Sequence, residues 1–107
     1  MYLIASHSHY YSPNIFDTAF WKQYSKSVVP GMIIGTAGAH RYALPKTATK
    51  GAKTMIYGFM QGTVNADGAI DFALHELSEA DLVEHKWPNA PVDAIHECYV
   101  HNGDEAN

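Results

Sequence analysis

The sequence predicts a small α+β domain, mostly antiparallel strands around one long hairpin, with a helix near its C-terminal end. Three observations predict it. Residues 54–77 hold two β-rich runs, TMIYGFMQGTV and AIDFALHEL, on either side of Asn65-Ala66-Asp67-Gly68. Asp-Gly between such runs is a hairpin signature, because glycine takes up φ > 0 with no Cβ penalty. In the second run Ile70, Phe72 and Leu74 alternate with Asp71, Ala73 and His75, a period of two that implies one buried face. Near the end Pro91 precedes Val92 to Val100, where Val92, Ile95 and Tyr99 share one helical face, so Pro91 is read as the first helical residue.

The remaining elements follow in chain order. Tyr2 to Ser6 is β-favouring and reads as a short strand, with His7 and His9 at its end. Ser12-Pro13-Asn14 is a turn signal. Ile15 to Tyr24 carries aromatic residues at 16, 20, 21 and 24, which suits a helical turn or a packed loop. Pro30-Gly31 breaks the chain again. Met32-Ile33-Ile34-Gly35 then reads as a buried strand running into a small-residue loop, Gly35 to Ala39. Residues 45–53, PKTATKGAK, are polar and expected to be exposed. Ser78-Glu79-Ala80-Asp81 is a helix-start pattern related to the capping box. Trp87-Pro88-Asn89-Ala90-Pro91 ends that helix, and the tail NGDEAN, residues 102–107, is expected to fray.

Composition bounds what such a domain can do. A chain of 107 residues makes one domain, and at this size it buries a smaller share of its surface than a larger chain. The net charge of -4 argues against non-specific nucleic-acid binding, which needs clustered Lys and Arg. Lys46, Lys50 and Lys53 form the one basic cluster and have no interleaved aromatic residues, the pattern of a solvated loop. A single cysteine, Cys98, permits no intrachain disulfide and is expected to be a small buried residue on the last helix. No apolar run reaches the ~18 residues of a membrane span, and no signal-peptide pattern opens the chain. The compartment stays open. Histidine is the outlier, with seven residues.

Among these, His7 and His9 stand out. In an extended segment residues i and i+2 point to one side, so both imidazoles could approach one metal or two adjacent metals. A plain reading stands beside it: two surface histidines next to a turn. Gly35-Thr36-Ala37-Gly38-Ala39 would let backbone N–H groups approach a ligand, though it lacks the P-loop pattern and also reads as a tight turn. Arg41 could hold a phosphate oxygen, but alone it reads as a surface charge. His75, His85, His96 and His101 show no ligand spacing and read as structural or exposed. No Ser-His-Asp or Cys-His arrangement is present.

Read together, these stretches resemble a known family. SHSHYY is similar to the G-H-x-H motif of calcineurin-like metallophosphoesterases, with Ser6 where that family more usually has glycine. The order of YSPNIFDTAFWK, PGMIIGTAGAHRYALP, MIYGFMQGTVNADGAIDFALHELSEAD and AIHECYVHN resembles the C-terminal part of its bacterial members, over most of the chain. The resemblance implies a two-sheet β-sandwich flanked by helices, of which residues 1–107 would be a single partial domain. It implies two divalent metals (Mn, Fe or Zn) that bind a phosphate ester and activate a bridging hydroxide for in-line attack. His7 and His9 would be metal ligands, one to each metal; no substrate-binding residue is assigned.

The sequence departs from the family in the rest of the ligand set. No D-x-H and no G-N-H occurs, and the one Gly-Asp is Gly103-Asp104 in the tail. The chain is therefore expected to supply the H-x-H ligands to an incomplete two-metal centre and to be inactive alone. An N-terminal partner segment or self-association would complete it, with no nucleic acid or membrane involved. Two other readings remain: a non-catalytic β-rich module that binds a partner chain or itself, and a weak zinc-binding domain.

Overall fold

The computed structural model describes residues 1–101, so the tail expected to fray lies outside the described residues. In chain order the elements are β1 (Leu3–Ala5), β2 (Tyr11–Ser12), α1 (Ala19–Lys22), β3 (Gly31–Ile34), β4 (Tyr57–Val64), β5 (Ile70–Leu77), α2 (Glu79–Glu84) and α3 (Val92–His101). This is a small α+β fold with antiparallel strand pairs and a C-terminal helix. No helix among the described residues is long and apolar enough to cross a membrane.

The first sheet has the order β1-β3-β2. β2 runs antiparallel to β3, whereas β1 runs parallel to it, with Ile4 opposite Met32. The polar stretch 45–53 is tied to this sheet rather than hanging free. Lys53 bridges to Tyr11, and the Thr49 hydroxyl donates to the Pro13 carbonyl. Most of that stretch is exposed, as its composition implies, but Ala48, Thr49 and Ala52 are half-buried.

The hairpin has the expected strands and turn. β4 and β5 pair in register from Tyr57↔Leu77 to Val64↔Ile70. Asn65 N–H donates to Ala69 O at 2.8 Å, Gly68 N–H donates to Asn65 O at 2.9 Å, and Gly68 has φ +83°. This is a three-residue loop closed by a left-handed glycine. Ile70, Phe72 and Leu74 are half-buried while Asp71, Ala73 and His75 are exposed, as the alternation requires.

The hairpin touches the first sheet at both ends. At its base Gly58 N–H donates to Thr36 O at 3.0 Å, and the Thr36 hydroxyl donates to Gly58 O at 2.8 Å. At its tip Ile70 N–H donates to the Tyr2 hydroxyl at 3.4 Å, and the Tyr2 and Phe72 rings meet edge-on at 5.2 Å.

α2 starts where the sequence signals it, and α3 starts one residue later than its signal. Ser78 caps α2: its hydroxyl accepts from Asp81 N–H, and the Asp81 carboxylate accepts from Ser78 N–H at 2.7 Å. Pro91 is not the first helical residue. It stands just outside α3 and its carbonyl accepts the Ile95 N–H at 3.3 Å. On α3, Ile95 and Tyr99 are half-buried but Val92 is exposed. Cys98, expected to be buried, is exposed, because it shares the open side of α3 with the loop at Gly38.

No apolar side chain among the described residues is fully buried. The radius of gyration is 16.4 Å, against about 13 Å for a compact domain of this length. The extents, 52 × 38 × 18 Å, describe a slab about two layers thick.

Candidate functional site

The H-x-H segment does not continue the first strand. β1 ends at Ala5, and residues 7–10 form a bend in which His7 takes φ +78°, the left-handed region. Strand alternation therefore does not set the relative directions of the two imidazoles. What holds the segment is the chain leaving β3. Gly35 N–H donates to Tyr10 O at 3.0 Å, and a Cβ at Gly35 would lie 2.0 Å from the Ser8 carbonyl oxygen. Only glycine permits that approach, so the small-residue loop is a packing device for the histidine segment.

His9 is half-buried and closely held. Its Nδ1 bonds the His40 carbonyl, its ring stacks on Tyr42 at 4.2 Å and 23°, and its own carbonyl accepts from Tyr42 N–H at 3.2 Å. A carbonyl oxygen only accepts, so Nδ1–H faces it, and in the neutral ring Nε2 then carries the lone pair. A backbone acceptor on one nitrogen, with the other left basic, is how metal-binding histidines are usually oriented. His7 is exposed.

The structure thus brings His9, Gly35 and the His40 and Tyr42 backbone together, with no contact that places the His7 ring among them. It carries Arg41 elsewhere. Arg41, read as a surface charge, is only 5% exposed. Its guanidinium lies over the Tyr57 ring at 4.8 Å and the Tyr99 ring at 6.0 Å, and Nη2–H donates to Tyr99 O at 2.8 Å. Burial against two aromatic faces from distant parts of the chain replaces the water a surface arginine would have. Its Nε is buried with no hydrogen-bond partner.

The other histidines are structural or exposed. His75 stacks on Phe59 at 5.0 Å, His85 closes α2, and His96 reaches Glu79 at 2.8 Å. His101 pairs with Glu97 along α3. Among the described residues no group of three or more His, Cys, Asp or Glu side chains is placed to hold a metal ion. Two imidazoles suit zinc or another borderline metal but make only part of a coordination shell.

Sequence reasoning missed Tyr42 and the His40 carbonyl as supports of His9. A stacking partner 33 positions away leaves no local signal; only the aromatic at 42 and the histidine at 9 are visible in the sequence. Searched against protein-family models, curated proteins and solved structures, the chain matches none of them.

Proposed function

We propose that this chain supplies the H-x-H arm, His7 and His9, of a two-metal phosphoesterase centre of the calcineurin-like type. The bridging carboxylate and the other ligands come from polypeptide outside these 107 residues. The observation that carries the reading is the contact of His9 Nδ1 with the His40 carbonyl, the kind of backbone support that orients a histidine to offer Nε2 to a divalent metal. The segment order, similar to the C-terminal part of that family, supports it. In the assembled centre the metals would neutralise a phosphate ester and lower the pKa of a bridging water.

The test is metal titration of the chain with Zn²⁺ and Mn²⁺, in wild type and in His7→Ala/His9→Ala. Tight binding of two metals, lost in the double variant, favours this reading; a single zinc of micromolar-to-millimolar affinity favours a stand-alone zinc-binding domain, and no aryl phosphate hydrolysis is expected of the chain alone. Zinc binding indifferent to the two substitutions would sink the reading. Manganese-dependent turnover lost in His9→Ala would show the centre to be complete within the chain.

A second reading is favoured by the lack of any fully buried apolar side chain among the described residues. In it the chain is a non-catalytic β-rich module that associates with itself or a partner, and binds no metal in the same titration.

A further inference from the structure

A groove of about 710 Å³ opens between the base of the hairpin, α2 and α3. That is the size of a small-molecule site. Leu77, Leu82 and Ile95 are half-buried in its wall. Phe59 and Trp87 line it more openly, 51% and 83% exposed. Along α3 the wall extends from Pro91 to Tyr99, a run of about 12 Å. Near the end of that run the Tyr57 hydroxyl donates to Cys98 O at 3.2 Å and ties β4 to the helix.

Charge and backbone bonding together narrow what fits. The chain carries 11 Asp and Glu against 7 Lys and Arg. Yet no acidic residue lines the groove, and its basic residues are Lys86 and His85. Lys86 is half-buried; its ammonium donates to Pro88 O at 3.3 Å, and no carboxylate among the described residues pairs with it. Arg41 lies behind the Tyr57 and Tyr99 rings, both part of the wall, and it too has no carboxylate partner among the described residues. Its guanidinium is 5% exposed and its Nε is unbonded. Uncompensated cations beside an apolar wall keep a positive potential there, because little solvent screens them. The backbone, by contrast, is already used. Gly58 N–H donates to Thr36 O and Gly58 O accepts from the Thr36 hydroxyl, so a strand of another polypeptide finds no pairing partner at this point of β4.

We propose that this groove binds a small amphipathic monoanion, an apolar body carrying one carboxylate. The body lies on Leu77, Leu82 and Ile95, between Phe59 and Trp87. The carboxylate meets the Lys86 ammonium in a charge-assisted hydrogen bond, and Arg41 adds to the attraction from behind the tyrosine rings. Neither His7 nor His9 lines the groove, so the proposal does not rest on the metal reading.

An NMR titration of the full chain with decanoate, below the concentration at which decanoate self-associates, tests it, with decanol as the uncharged control. The expected result is a saturable shift of the Trp87 indole and of the Leu82 and Ile95 amides, while the Trp21 indole stays still. Decanol should bind roughly tenfold more weakly than decanoate, and Lys86→Gln should weaken decanoate by a similar factor without changing decanol. Cys98, the single cysteine and part of the wall, gives a second readout: saturating decanoate should slow its alkylation by N-ethylmaleimide. Decanol binding as tightly as decanoate overturns the proposal, as do equal shifts at both tryptophans. So does an unmoved Trp87, the result expected if the groove takes only another polypeptide, or alkylation of Cys98 at an unchanged rate. The wild-type comparison of decanoate with decanol decides even if Lys86→Gln misfolds.

Discussion

Arg41 is the residue whose surroundings depart furthest from its sequence context. Its neighbours His40, Tyr42 and Ala43 give no hint of burial, yet it joins β4, through Tyr57, to α3, through Tyr99. A charge-assisted hydrogen bond contributes about 1.5–3 kcal/mol, and guanidinium over an aromatic face adds about 0.5–2 kcal/mol. Arg41→Ala is accordingly expected to lower stability by roughly 2–4 kcal/mol and to release α3. Urea unfolding followed by circular dichroism reads the first, and faster amide exchange across 92–101 reads the second. An unchanged midpoint would mean the guanidinium only fills space. Gly35 is the second such residue. Its lack of a Cβ, against the Ser8 carbonyl, lets the end of β3 lie directly on the histidine segment. A Cβ there would collide with backbone, which cannot swing aside as a side chain can, so Gly35→Ala should cost about 1–3 kcal/mol in the same unfolding experiment and loosen the support of His9.

At the scale of elements, caps and turns behave as local chemistry dictates. α2 has only six residues and no buried side chain, so its capping box matters more than its packing. The Ser78 hydroxyl and N–H both bond the Asp81 carboxylate, with a lesser favourable contribution from His85. The hydrogen bonds hold the Asp81 carboxyl below its ordinary value, against an opposing desolvation. A lowered folded pKa means the carboxylate favours the folded state above the usual carboxylate range. That contribution is lost as pH falls through the lowered value. Helix content in 78–85 should therefore be constant from neutral to mildly acidic pH and fall only in strong acid. Ser78→Ala should remove about 1 kcal/mol and bring the Asp81 titration back toward the ordinary carboxylate range. A carbon-detected NMR titration of Asp81 in both proteins checks the sign; an unshifted Asp81 in wild type would contradict the capping geometry.

For the whole molecule the governing fact is open apolar surface. With no fully buried apolar side chain among the described residues, hydrophobic stabilisation of a lone chain is small for its length. If the chain associates with itself through this surface, stability is tied to protomer concentration by mass action. The apparent Tm is then expected to rise with chain concentration. Differential scanning calorimetry over a hundredfold dilution series reads this. A wild-type Tm independent of concentration would place the source of stability within the single chain.

The hairpin, its Gly68 turn, the Ser78 cap and, to within one residue, the last helix were legible in the sequence. Each depends on residues within a few positions of one another, where φ preferences and side chain–backbone bonds act without tertiary help. The pair His7 and His9 was legible as a candidate for the same reason, being a short motif. Its geometry was not. The left-handed bend at His7 interrupts the strand, and the His40 carbonyl and Tyr42 ring that hold His9 come from chain returning after β3. The parallel pairing of β1, the burial of Arg41 and the exposure of Cys98 likewise rest on contacts across tens of residues. Local sequence sets which backbone shapes are cheap. Which surfaces then meet is decided by long-range packing, whose partners no local pattern encodes.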